Sequence, residues 1–256
     1  MSQGAFQVYT QDEQFNQQYL AYQSKYAEKM REGDKVLINK IQSIVEQRGG
    51  VEGIRLLDVG CSTGNLLLHI QRLVPGLALV GLDLSKDAVE MCQANPQLQG
   101  IDFVVGSAMS MENLFEQPFD IVIADATVQH LTYEEFEQAL VQFGRVLKPN
   151  GYHLNFDGFH PFEQEIAIME YSTYGSSLGI PLYYRSFART SQLLERAGFD
   201  RIEFHPFEMP FDLERDPQDF TNLTTYTVRR EDRKRMSMRG SIYQPWCHLY
   251  AQKRSE

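Results

Sequence analysis

The chain has 256 residues, of which 43% are hydrophobic and 23% charged, ordinary proportions for a globular protein with a sizeable core; they exclude a disordered, collagen-like or membrane-spanning chain. Lys and Arg total 24 against 34 for Asp and Glu, a formal charge of −10, which argues against nucleic acid as a partner and requires any anion site to be local. The three cysteines, Cys61, Cys92 and Cys247, are an odd number without Cys-x-x-Cys spacing, so buried free thiols are expected rather than disulfides or a metal site.

Met1 to Gln14 is polar, with neither a basic start nor an apolar core, and no stretch approaches the roughly 18 apolar residues of a membrane helix. A cytoplasmic protein without membrane contact is expected. The aromatics Tyr9, Phe15, Tyr19, Tyr22 and Tyr26 then sit among polar residues, and Leu37, Ile41, Ile44 and Val45 recur at helical spacing. Residues 1–50 are therefore read as an N-terminal helical extension packed on a sheet edge, its aromatics either covering a site or filling core.

From Ile54 onward, short β-branched or Leu-rich runs alternate with helical-period segments, the pattern of a parallel sheet covered by helices. Strands are predicted over 54–60, 78–84, 102–107, 119–125, 152–156, 201–205 and 246–253, and helices over 65–74, 86–94, 133–147 and 191–197. Thr132 and Glu135 match a capping box, in which each side chain satisfies a backbone N–H left unpaired at the helix start. Residues 51–256 are read as one α/β domain. Within it, about 157–185 is an insertion rich in aromatics and Gly, too long for an ordinary strand-to-helix connection, and such insertions often cover active sites. Arg229-Arg230-Glu231-Asp232-Arg233-Lys234-Arg235, with Arg239 nearby, is the basic run of the chain. Its bland reading is a solvated helix face with internal ion pairs; its sharper one is a contact for an anionic acceptor, made by Arg229 and Arg230.

The strongest local signal is Leu56-Leu57-Asp58-Val59-Gly60-Cys61-Ser62-Thr63-Gly64-Asn65, an apolar strand ending in a Gly-rich turn that opens a helix. Gly60 and Gly64 let backbone approach a ligand, and the helix start offers unpaired N–H groups. A phosphate-binding loop would require Gly-Lys-Ser/Thr, and a dinucleotide fingerprint would require Gly where Ser62 and Asn65 stand. Asp83, about 20 residues on at the end of the second strand, stands where dinucleotide folds place the carboxylate that accepts ribose hydroxyls. A ribose-bearing cofactor without a pyrophosphate fits both signals.

Through most of residues 54–253 the sequence resembles the class I S-adenosylmethionine-dependent methyltransferases. The resemblance rests on Leu57 to Gly64 as the first motif, Gly81-Leu82-Asp83-Leu84-Ser85 as the second, Gly106-Ser107-Ala108-Met109 beside the adenine, Phe119 to Asp125 with Gln129-His130-Leu131 as the fourth, Leu147-Lys148-Pro149-Asn150-Gly151 before the fifth strand, and Leu194 to Phe199. It implies a Rossmann-like, doubly wound α/β fold, with helices on both faces of a mostly parallel seven-stranded sheet of order 3-2-1-4-5-7-6, the last strand antiparallel. Ser62 departs from the usual middle Gly, and Asn150 replaces a Gly at a turn where Asn tolerates a left-handed conformation.

The resemblance also implies the cofactor, S-adenosyl-L-methionine, and its contacts. Asp58 and the Gly60–Gly64 backbone with Cys61, Ser62 and Asn65 would hold the methionine end. Asp83 and Leu84 would hold the ribose, Ser107, Ala108 and Met109 the adenine, and Asp125, at the end of the fourth strand, would be a further cofactor contact. Methyl transfer chiefly needs alignment and exclusion of water. Where the acceptor must lose a proton, His130 is the leading candidate, with His160 and the Glu163/Glu165 pair secondary. Tyr19, His160, Tyr174, Arg229 and Arg230 are candidate acceptor contacts, and no metal is expected. The reading is thus a methyltransferase acting on oxygen or nitrogen of a small molecule; the alternatives are an RNA or protein methyltransferase, or a catalytically silent, cofactor-binding partner subunit.

Overall fold

The computed structural model describes residues 12–171, 179–214, 225–239 and 242–255; Tyr9 and Tyr174 lie outside them. Its helices are α1 (Glu13–Ser24), α2 (Glu32–Gln47), α3 (Asn65–Leu73), α4 (Lys86–Ala94), α5 (Tyr133–Val146) and α6 (Phe187–Arg196). The strands are β1 (Arg55–Val59), β2 (Ala78–Asp83), β3 (Asp102–Val105), β4 (Phe119–Asp125), β5 (Leu147–His160), β6 (Ile166–Tyr171), β7 (Gly179–Ser186), β8 (Phe199–Pro206), β9 (Thr225–Arg229), β10 (Arg235–Arg239), β11 (Ile242–Tyr243) and β12 (Trp246–Lys253).

The main sheet runs β3-β2-β1-β4-β5-β12-β8, parallel from β3 to β5, with β12 antiparallel to both β5 and β8. This is the order and direction the resemblance implies. Its central strands are apolar on both faces. Leu56, Ile121 and Ile123 point into one core with Leu37, Ile41, Leu67 and Ile70, while Leu57, Val122 and Ala124 point into the other with Phe136, Leu140, Phe143 and Leu193. Period-two alternation thus divides each strand between two helix layers, which is why these strands read as continuous apolar runs.

α2 buries Leu37, Ile38, Ile41, Ile44 and Val45, the single stripe expected of an amphipathic helix on a sheet. α1 behaves differently. Asp12 caps it by accepting the Phe15 N–H at 2.9 Å, and Phe15 packs with Ile180, Leu182 and Tyr184 in a small cluster separate from the two main cores.

Several stretches differ from the sequence reading. The insertion is not a loose connection: β6 and β7 form an antiparallel hairpin, and β7 adds to the end of β5 through Phe159–Arg185 and His160–Ser186. Glu165 accepts the Ser186 N–H at 3.0 Å and the Ser186 hydroxyl at 2.5 Å, so it fastens the hairpin base instead of facing an acceptor. α6 starts earlier than predicted because Ser186 caps it by accepting the Arg189 N–H. β5 is extended through the Lys-Pro-Asn-Gly turn, where Asn150 adopts φ +60°, the conformation Asn tolerates. The basic run is a strand, turn and strand rather than a helix face. Arg229 and Arg235 lie opposite each other on β9 and β10, a repulsive placement relieved by Asp212, which pairs with Arg229 at 2.9 Å and with Arg235 at 2.7 Å.

Candidate active site

At the carboxyl ends of β1, β2 and β4, where the strand order reverses and open α/β sheets bind ligands, lies a cavity of about 140 Å³. Its floor is the Gly-rich turn. Gly60 has φ +78°, and a Cβ there would stand 2.3 Å from Thr127 Oγ1, so no other residue fits without moving the β4 loop. Ser62, at φ +49°, accepts a left-handed conformation that glycine normally takes; its N–H donates to Asp83 Oδ2 at 2.8 Å. Gly64, at φ +72°, turns the chain into α3 beneath the cavity but does not line it.

Asp83 ends β2 with its other oxygen accepting the Ser85 N–H at 2.8 Å. Burial raises its carboxyl above the usual range, and the Ser85 and Ser62 amides oppose that. Leu84, Ser107 and Ala108 continue the wall. Met109 does not: its N–H is taken by Ser107 Oγ at 3.2 Å, and it stands off the lining. Cys61 lines the cavity from the turn, with its thiol pushed up by contact with Cys92 and by burial. Asn65 donates to the Gln23 carbonyl at 2.6 Å, which ties α1 to the Gly-rich turn.

Asp58 is buried, and burial, then Asp34 and Asp83, pushes its carboxyl up to about 8. Asp125 is raised well above the carboxylate range by burial and by Asp34. The next residue, Ala126, has φ +50°, a strained conformation for a non-glycine residue at the cavity rim. Tyr19 reaches the cavity from α1, its hydroxyl beside Ser62 and Gln23 and raised chiefly by burial. It therefore faces the Asp83 side, not a separate acceptor pocket.

His130 lies in a short turn after β4, and the cavity reaches it. Its Nδ1 donates to the Pro181 carbonyl at 3.2 Å, so the neutral ring carries its proton there. Burial, with a smaller push from Arg185, depresses it to about 4 against the Pro181 bond. Two buried charges hold this turn. Asp157 on β5 accepts the Val128 and Gln129 N–H groups at 3.1 and 3.3 Å; burial lifts it to about 7 although Arg185 and these amides pull it down. Arg185 on β7, 2% exposed, donates to the carbonyls of Val128, Leu131 and Thr132 and lies 4.2 Å from the Phe136 ring centre.

Other predicted residues stand elsewhere. His160 is buried, its Nε2 bonded to the Tyr184 carbonyl at 3.1 Å; β5 runs on to residue 160 and carries it into the hairpin junction, away from the cavity. Arg229 and Arg230 are exposed on the small β9–β11 sheet, paired with Asp212 and Asp232. Sequence reasoning missed Arg31, Asp34, Asp157 and Arg185. No local signal marked any of them: β5 also carries His153, Asn155 and His160, so Asp157 does not stand out in its strand, and Arg31, Asp34 and Arg185 are distant in the chain. A wider depression of about 960 Å³ beside β3, lined by Gln93, Asn95, Asp102 and Phe115, contains none of the motif residues.

Residues 56–151 match the family model described as methyltransferase domain. Over 107 residues, 42% of this chain and 38% of the relative, the sequence is 35% identical to a fatty-acid O-methyltransferase of Mycolicibacterium smegmatis. Over 130 residues, 50% of this chain and 45% of the relative, it is 37% identical to a phthiotriol/phenolphthiotriol dimycocerosates methyltransferase of Mycobacterium ulcerans. The chain thus matches less than half the length of these curated relatives. Among solved structures, an S-adenosylmethionine-dependent methyltransferase of Methanosarcina mazei superposes with a TM-score of 0.54 at 15% identity, covering 79% of this chain and 93% of that one. A glycopeptide N-methyltransferase complexed with sinefungin gives 0.52 at 14% identity, covering 84% and 85%. These likenesses show the fold: a Rossmann-like methyltransferase fold.

Proposed function

We propose that this chain, which carries a methyltransferase domain of the class I type, is an S-adenosylmethionine-dependent methyltransferase that modifies oxygen or nitrogen of a small molecule. The observation that carries the reading is Asp83. It is a strand-end carboxylate fixed by the Ser62 and Ser85 amides, on a cavity whose floor is a Gly-rich turn with no phosphate-binding Lys.

The cavity fits the cofactor chemically. The carboxylate oxygens of Asp83 keep lone pairs for two ribose hydroxyls, Ser107 and Ala108 flank the adenine, and Asp58 stands on the methionine side. When bound, the cofactor supplies a methyl group on a sulfonium, and this chain's residues align the acceptor and exclude water. His130, neutral across the ordinary pH range, receives a hydrogen bond or a proton from the acceptor at the β4 edge. Asp157 and Arg185 keep its turn in place. α1 and the β6–β7 hairpin, joined through Phe15, Ile180, Leu182 and Tyr184, act as a cover that opens to admit ligands and closes over the reaction.

The curated relatives, which act on a fatty acid and on phthiotriol lipids by name, support a hydroxyl- or carboxyl-bearing acceptor. The test is turnover: S-adenosylmethionine incubated with the protein and fractionated metabolites should yield S-adenosylhomocysteine only with fractions containing the acceptor. Cofactor binding without turnover in any fraction would favour a silent subunit instead.

A further inference from the structure

Besides Asp83, three carboxyls from separate parts of the chain converge on the cavity: Asp58 on β1, Asp125 on β4 and Asp34 in the first turn of α2. The third belongs to none of the motifs. Asp34 is 3% exposed. Its carboxyl takes the backbone N–H of Arg31 and touches that of Asp125, yet its Oδ1 is buried with no hydrogen-bond partner. A buried oxygen left unpaired beside two other carboxyls is strongly disfavoured until a proton, a water or a ligand completes it. Of these, a cation able to donate hydrogen bonds also offsets the crowded negative charge. Arg31, three residues before Asp34, supplies the opposite charge in the same wall, its guanidinium 4.1 Å from the Tyr26 ring centre. Carboxylates next to a guanidinium match an α-amino acid, whose ammonium and carboxylate sit on one carbon.

We infer that Asp34, facing Asp125, binds the ammonium of the cofactor's amino-acid end and that Arg31 binds its carboxylate, so that the N-terminal extension completes the cofactor site. The inference rests on the cofactor reading above. The charged and titratable groups around the pair are Arg31 toward both carboxyls, His69 toward Asp34, Asp58 and Asp157 toward Asp125, and Asp34 and Asp83 toward Asp58. Two carboxyls in contact share a proton when no cation stands between them. Ammonium binding therefore displaces a proton to buffer.

The experiment is titration calorimetry with S-adenosylhomocysteine and with 5′-methylthioadenosine, the same nucleoside without the amino-acid end. Asp34→Asn should weaken the first about 10- to 100-fold, leave the second unchanged, release fewer protons in buffers of different ionisation enthalpy, and melt at or above the wild-type temperature because a crowded carboxyl is gone. Arg31→Gln and Asp125→Asn should discriminate between the two ligands in the same way, and they carry the comparison if Asp34→Asn does not fold. Wild-type affinity for S-adenosylhomocysteine in these variants, or equal loss of both ligands, overturns the inference. Failure of the wild-type protein to bind either ligand would instead remove the cofactor reading beneath it.

Discussion

Replacing Asp83 with Asn perturbs the ribose contact while preserving shape. In the native site the two carboxylate oxygens each accept one backbone N–H, from Ser85 and Ser62, at 2.8 Å, and their remaining lone pairs face the cavity. In the variant one oxygen becomes an NH₂ that cannot accept, so one amide is unpaired, one ribose hydroxyl loses its acceptor, and the other keeps only a neutral one. A hydrogen bond to a charged group contributes about 1.5 to 3 kcal/mol, which corresponds to roughly a 10- to 150-fold loss of affinity. Part of that loss belongs to the loop, because Ser62 holds its left-handed conformation with this bond. Stability should change little: the lost amide bond, about 1 kcal/mol, is offset by removal of a carboxyl that burial already disfavours. Titration of the folded variant with S-adenosylhomocysteine, alongside a thermal melt, reads both quantities. Wild-type affinity in a protein that melts normally would refute the ribose role of Asp83, and collapse of the fold would show that the carboxylate is chiefly a loop fastener.

Three further outcomes are expected. His130→Ala should lower turnover far more than S-adenosylhomocysteine affinity. Because burial holds His130 near 4, below its usual range, any contribution from the neutral ring should persist down to about that pH and vanish below it; a pH–rate profile identical in the variant would return His130 to packing. Arg185→Met should destabilise by roughly 3 to 5 kcal/mol in urea unfolding, since it leaves the Val128, Leu131 and Thr132 carbonyls and the buried Asp157 uncompensated, and a change below about 1 kcal/mol would count against the clamp. Hydrogen exchange should slow in α1 and the β6–β7 hairpin when S-adenosylhomocysteine binds, and equal protection with and without it would count against a moving cover.

The sequence by itself determined the α/β class, most strand centres, the Gly-rich turn with Asp58 and Asp83, and the Thr132–Glu135 capping box, both of whose hydrogen bonds form. All are short-range signals: side-chain period, backbone permissiveness and a cap lie within a few residues of one another. It also flagged Asn150 as able to turn left-handed, and Asn150 does so. The insertion and the basic run were marked as unusual, but their strand character was hidden, because a hairpin outside the core depends on partners such as β5 and Asp212 rather than on its own periodicity. Only the tertiary structure decided that Asp34 meets Asp125, that Arg185 and Asp157 grip the turn carrying His130, and that His160 and Arg229 stand away from the cavity. Those pairings join segments dozens of residues apart, and the buried charges they leave are stabilised or strained only by neighbours that arrive on folding, so no local pattern carries them.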